Sequence, residues 1–199
     1  MSECKLKNPG LDKAEDTAPF TAIIACGNSN RSDDGVASYV VKQLANLPNR
    51  ADVRLFDTGT NGMEVMFKAR GCSTLILIDA SDSGQAPGTL CKVPGAELER
   101  IPEPGLNLHN FRWENALYAG QRIFGDEFPN DISVYLIEAE NLGLGLELSD
   151  TVRAAADRLC EQLIERYWPH HSIALSRADT AFSDRSRANS TYHSGKPDV

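Results

Sequence analysis

The stretch "FTAIIACGNSNRSDDGVASYVVKQLANLP", residues 20–48, decides the fold. Its opening, "FTAIIAC" (20–26), is almost continuously apolar, the pattern of a strand buried on both faces of a parallel sheet. From Asp34 to Leu47 the apolar residues Val36, Val40, Leu44 and Leu47 recur at helical spacing, and Pro48 ends the run. Between strand and helix stand two adjacent carboxylates, Asp33 and Asp34. A glycine-containing loop that opens a helix gathers backbone N–H groups suited to an anion. These acids would repel a phosphate, however, and the loop has neither the Lys and Thr of a P-loop nor the three spaced glycines of a dinucleotide fingerprint. Hard anionic oxygens suit a cation, a proton, or a substrate that carries a metal. Ser32 or Asp33 as the N-cap of the following helix accounts for one acid and leaves the second over.

Working outward, the same alternation repeats. "DVRLF" (52–56) reads as a strand, "DTGTNG" as a glycine-containing loop, and "MEVMFKA" (63–69) as a short helix. "STLILIDA" (73–80) is the strongest strand and ends on Asp79; "TLCKV" (89–93), before Pro94, reads as an edge strand. "FRWENALYAGQRIF" (111–124) follows as a helix, "ISVYLIEA" (132–139) as a buried strand, and "SDTVRAAADRLCEQLIERYW" (149–168) as a closing helix capped by Ser149. Its stripe is Val152, Ala156, Leu159, Leu163 and Tyr167. Strands separated by helices imply right-handed crossovers, hence a three-layer α/β fold: a mostly parallel twisted sheet of about five strands with helices on both faces. The domain spans 20–168. Residues 1–19 read as a flexible leader, and 169–199, rich in Ser, Arg and Asp, as a disordered tail.

Composition narrows the function. A chain of 199 residues with 41% apolar content and net charge -8 suits one soluble domain and argues against broad binding to nucleic acid or anionic membranes. The five cysteines are scattered and form no C-x-x-C pair, which fits reduced thiols better than a disulfide framework or a zinc cage. No apolar leader or spanning segment is present in the sequence, so the expected location is the cytoplasm; a monomer is also expected.

In open α/β sheets, ligands collect beyond the carboxyl ends of the strands, where strand order reverses. Asp34, Asp57, Asp79 and His109 all fall in that zone. Singly, each has an ordinary role as an acceptor for loop N–H groups or a loop imidazole. Together, two carboxylates and an imidazole make an O,O,N set for zinc, nickel or a similar divalent ion, with positions left for substrate.

These motifs, taken in order, resemble those of the hydrogenase maturation proteases, which trim the C-terminal extension from the large subunit of nickel-iron hydrogenases. The resemblance covers about residues 20–168. "CGNSNRSDDGV" is similar to the family's G-N-x-x-x-x-D-[DE] opening, "DTGTNGMEV" to its D-G-G-T-x-G block, and "LILIDA" to its strand-terminal V-D-A. "PGTL", "LNLHNF" and "IEAENLGLGLELSDTV" follow in the family's order. The resemblance implies that Asp34, Asp79 and His109 contact the metal, with Asp34 standing where many relatives have Glu. The acid of the glycine block falls on Asp57. It further implies that the nickel is carried by the substrate, the large-subunit precursor, with no organic cofactor. Ala25, Thr58 and Ala37 stand where relatives often have Gly, which bears on loop shape and substrate choice. Water activation stays open between the nickel, Asp57 and Asp34. Two other classes compete. A phospho-receiver domain shares an acidic pair and a strand-terminal aspartate, but here the last strand leads into "EAENLG" with no Lys-Pro to meet a phosphoryl group. A non-catalytic nickel chaperone would use the same trio without cutting.

Overall fold

The computed structural model describes residues 18–95 and 113–170. Five strands, β1 (Thr21–Ala25), β2 (Val53–Asp57), β3 (Thr74–Ser81), β4 (Leu90–Pro94) and β5 (Asp131–Glu138), form one sheet in the order β2-β1-β3-β5-β4. The first four in that order pair in parallel, while β4 runs antiparallel to β5 at the edge. Four α-helices complete the layers: α1 (Val36–Leu44), α2 (Gly62–Ala69), α3 (Trp113–Phe124) and α4 (Asp150–Tyr167).

Each central strand is apolar throughout because both of its faces are covered. Ile23, Ala25, Ile76 and Ile78 pack with Val36, Val40 and Leu44 of α1 and with Val152, Ala156, Leu159 and Leu163 of α4. The alternate residues Ala22, Ile24, Leu75 and Leu77 pack with Val65 and Met66 of α2 and with Trp113, Ala116 and Leu117 of α3. This is the expected three-layer arrangement, and the predicted stripes of α1 and α4 are its core-facing residues. Tyr167 and Leu47 pack only at the margin of that core.

Three local expectations are corrected. The first helix does not start at Asp34: residues Ser32–Gly35 form a 3-10 turn, and α1 begins at Val36. It ends at Leu44, so Leu47 lies beyond the helix it was expected to stripe. β3 does not stop at Asp79 but continues to Ser81, because the ladder with β5 runs on to the pair Ser81 and Glu138. The segments expected as leader and tail fall mostly outside the described residues. Cys26, Cys72, Cys91 and Cys160 are free thiols. Among the described residues, no helix is long and apolar enough to cross a membrane.

Candidate active site

The chain leaves β1 for β2 on one side, and β3 lies on the other, so strand order reverses at the carboxyl ends of β1 and β3. A cavity of about 710 Å³ opens there, lined by Gly27, Arg31, Asp34, Asp79, Asp82 and Glu114 among others.

Gly27 sets the geometry. Its φ is +121°, and a Cβ there would stand 2.1 Å from the Asp34 carbonyl oxygen and 3.4 Å from Oδ1 of Asp79. Only glycine lets the exit of β1 run this close to the Asp34 backbone. The result is that the Asp34 backbone and the Asp79 carboxylate meet over one residue. Asp34 is half-buried, and its carboxylate has no hydrogen-bond partner among the described residues.

The two adjacent acids do different work. Asp33 is fully buried, and neither it nor Ser32 caps a helix. Its Oδ2 accepts from the N–H groups of Glu140 at 3.0 Å and Asn141 at 2.8 Å and from the Ser149 hydroxyl at 2.9 Å. Its Oδ1 accepts from the Ser149 N–H at 2.7 Å. Burial alone would push this carboxyl up, but the donors from Ser149, Asn141 and Glu140 outweigh it and hold Asp33 below the usual carboxylate range. Asp33 therefore ties the loop after β1 to the connection between β5 and α4. Ser149 stands at the N-cap of α4 as expected, but its side chain goes to Asp33 and not to the helix.

Asp79 points to the α2–α3 side, in phase with Leu75 and Leu77, and is 6% exposed. Its Oδ2 accepts from the indole N–H of Trp113 at 2.8 Å and its Oδ1 from the Ala80 N–H at 2.9 Å. Sequence reasoning missed Trp113, because "FRWENAL" looks like any amphipathic start and nothing in it announces a partner for an acid 34 residues away. Glu114, in the next position, adds a further acid to the cavity lining.

Asp57 ends β2 as expected but is not among the cavity-lining residues. Its Oδ2 accepts from the Ser38 hydroxyl of α1, and its Oδ1 from the Gly59 N–H at 3.2 Å. Thr58 uses its hydroxyl to donate to the Ala25 carbonyl at 3.0 Å. Both residues fix the loop that brings Gly59 and Thr60 to the cavity.

A second missed residue is Glu138. It is 2% exposed, and its carboxylate accepts from the hydroxyls of Ser81 and Ser83 and the N–H groups of Ser83, Gly84 and Gln85. Those bonds, led by that of Ser81, lower its pKa to about 2. It thereby pins the loop after β3, whose Asp82 and Ser83 line the cavity. The available signal was an acid ending an apolar strand, opposite a serine-rich turn.

Cys26 lines the cavity too, buried among its apolar neighbours. Burial, with the Asp79 carboxylate nearby, pushes its thiol up to about 12 and keeps it neutral. His109 lies outside the described residues. His170, the one histidine within them, is exposed past the end of α4. Among the described residues, no group of three or more His, Cys, Asp and Glu side chains forms a cluster able to hold a metal ion.

The family model for hydrogenase maturation protease matches residues 38–166. The chain belongs to the hydrogenase maturation protease family. The hydrogenase expression/formation protein HoxM of Azotobacter vinelandii is 28% identical over 186 residues, 91% of this chain and 89% of HoxM. HupM of Azotobacter chroococcum is 30% identical over 141 residues, covering 69% of this chain and 66% of HupM. Among solved structures, the hydrogenase maturating endopeptidase HybD from E. coli superposes with a TM-score of 0.61 at 25% identity, covering 76% of this chain and 93% of HybD. The hydrogenase maturation protease HycI from Thermococcus kodakarensis, at 21% identity and TM-score 0.59, shares the fold. The family match takes in Asp57, Asp79 and His109 and begins just past Asp34. The family is one of peptidases, so this chain is a hydrolase of hydrogenase maturation, and the regulatory receiver class drops out.

Proposed function

We propose that this protease removes the C-terminal extension of a nickel-loaded hydrogenase large-subunit precursor, and that Asp34, Asp79 and His109 meet the nickel that the substrate brings. The observation that carries this reading is that two acids line one cavity at the switch point: Asp34, half-buried and with no hydrogen-bond partner for its carboxylate among the described residues, and Asp79, held by Trp113. Carboxylates that line one cavity favour an incoming cation. Two carboxylates and an imidazole leave positions open for donors that arrive with the ion. Cysteine thiolates of the precursor would be such donors for nickel.

The polar contacts divide the labour among the acids. Asp79 already accepts two hydrogen bonds, so it is held in one orientation as a docking ligand. Asp57 is engaged by Ser38 and Gly59 and serves to position the glycine loop. Asp34 lines the cavity beside Asp79 with no hydrogen-bond partner for its carboxylate among the described residues, which leaves its lone pairs for a water, and it is our choice as general base. The substrate's nickel, close to the scissile bond, would polarise the carbonyl under attack.

Intact-mass analysis of a nickel-loaded large-subunit precursor after incubation tests the reading. A fragment corresponding to the C-terminal extension is expected, together with a shortened large subunit. A stable complex with a precursor of unchanged mass would mean a nickel chaperone instead.

A further inference from the structure

The connection from β5 to α4 carries two of the most exposed large apolar side chains among the described residues, Leu144 at 91% and Leu146 at 76% exposure. Single surface leucines are ordinary. These two flank Gly145 on a segment that is anything but slack. The Arg31 guanidinium donates from Nε and Nη2 to the Leu142 carbonyl at 3.1 and 2.9 Å. The Ser32 N–H donates to the Gly145 carbonyl at 2.8 Å, and the Gly145 N–H to the Asn30 carbonyl at 3.1 Å. A Cβ on residue 145 would stand 2.5 Å from the Ser32 hydroxyl, so the backbone here lies flat against the loop that carries Asp34. Asp33 clamps both ends of the same segment through Glu140, Asn141 and Ser149. With Gly145 pressed inward, its two neighbours are held out in water, on a backbone hydrogen-bonded to the loop that carries Asp34.

We propose that Leu144 and Leu146 form a ledge on which the body of the hydrogenase large-subunit precursor docks while its C-terminal chain enters the cavity. The proposal rests on the function given above. Its occupant follows from continuity: Leu142, two residues before Leu144 on the same segment, lines the cavity, so a protein that delivers a chain end there comes up beside the segment that carries the two leucines. The contacting surface of the precursor is apolar, since it must take both side chains out of water. Because the ledge and Asp34 share one hydrogen-bonded unit, docking also aligns the precursor with the acid that acts on it.

The test is steady-state processing of the nickel-loaded precursor by wild type, L144S, L144S/L146S and, as a control, I123S. Ile123 is 64% exposed near the far end of α3, about 14 Å along that helix from the cavity-lining Glu114. All three variants alter exposed side chains, and unchanged thermal midpoints will show that they fold. The expected result is a KM raised about tenfold or more in the double variant with kcat within about twofold, a smaller KM change in L144S, and no change in I123S. A double variant with wild-type KM overturns the ledge, as does an equal KM rise in I123S or a wild-type dimer in sedimentation that the double variant abolishes. Wild-type enzyme that leaves the precursor intact refutes the function itself, which the variants alone could not do.

Discussion

Replacing Asp33 and Asp34 in turn by Asn should give opposite phenotypes from neighbouring positions. In Asp33→Asn the single amide oxygen can keep the three bonds now made by Oδ2, to Glu140, Asn141 and the Ser149 hydroxyl. The amide NH2 then faces the Ser149 N–H, which at present donates to Oδ1 at 2.7 Å. A donor set against a buried donor costs about 1–3 kcal/mol, and three bonds that change from charge-assisted to neutral lose about 0.5–1 kcal/mol each, for a total of about 2.5–6 kcal/mol. In a domain of this size that lowers the melting temperature by about 10 °C. Asp34→Asn removes a charge that has no partner among the described residues and should stay within about 0.5 kcal/mol of wild type, while processing falls by about 100-fold or more through loss of the base. Urea unfolding of both variants beside a precursor-processing assay separates them. An Asp33→Asn protein as stable as wild type would refute the strut, and full activity in Asp34→Asn would refute the division of labour.

Three further outcomes are expected. Because the folded pKa of Glu138 lies at about 2 against an ordinary 4.5, its contribution to stability is complete above pH 4.5 and is lost as the pH falls toward 2; Glu138→Gln should flatten that part of an acid-unfolding profile. Gly27→Ala forces a Cβ to within 2.1 Å of the Asp34 carbonyl at a positive φ, so both activity and thermal stability should drop, and a variant with wild-type values in both would contradict the close approach. His109→Ala should fold normally by circular dichroism yet fail to process its precursor, whereas wild-type processing would remove the imidazole from the docking set.

The sheet was legible because each buried strand is an unbroken apolar run and each helix carries a stripe at its own period. "STLILIDA" and "SDTVRAAADRLCEQLIERYW" needed no tertiary information to be placed within a residue or two. The site was legible only as a set of strand ends. That Asp34 and Asp79 line one cavity while Asp57 turns to Ser38 depends on side-chain direction, set by strand phase for Asp57 and Asp79 and by the 3-10 turn for Asp34. Trp113 and Glu138 escaped notice because their partners lie 34 and 53–57 residues away in the chain, and pairing at such range leaves no local pattern. The doublet at 33–34 does divide, with Asp33 buried in hydrogen bonds and Asp34 in the cavity lining. The buried one, however, anchors a distant loop and caps no helix.

The most direct test of the central claim compares two forms of one precursor, nickel-loaded and nickel-free, each incubated with metal-free wild-type protease and followed by intact mass. The account predicts that only the nickel-loaded form loses its C-terminal extension, and that free nickel added to the protease alone does not replace nickel in the substrate. Efficient cutting of the nickel-free precursor would contradict it and would leave an ordinary carboxylate-catalysed peptidase in its place.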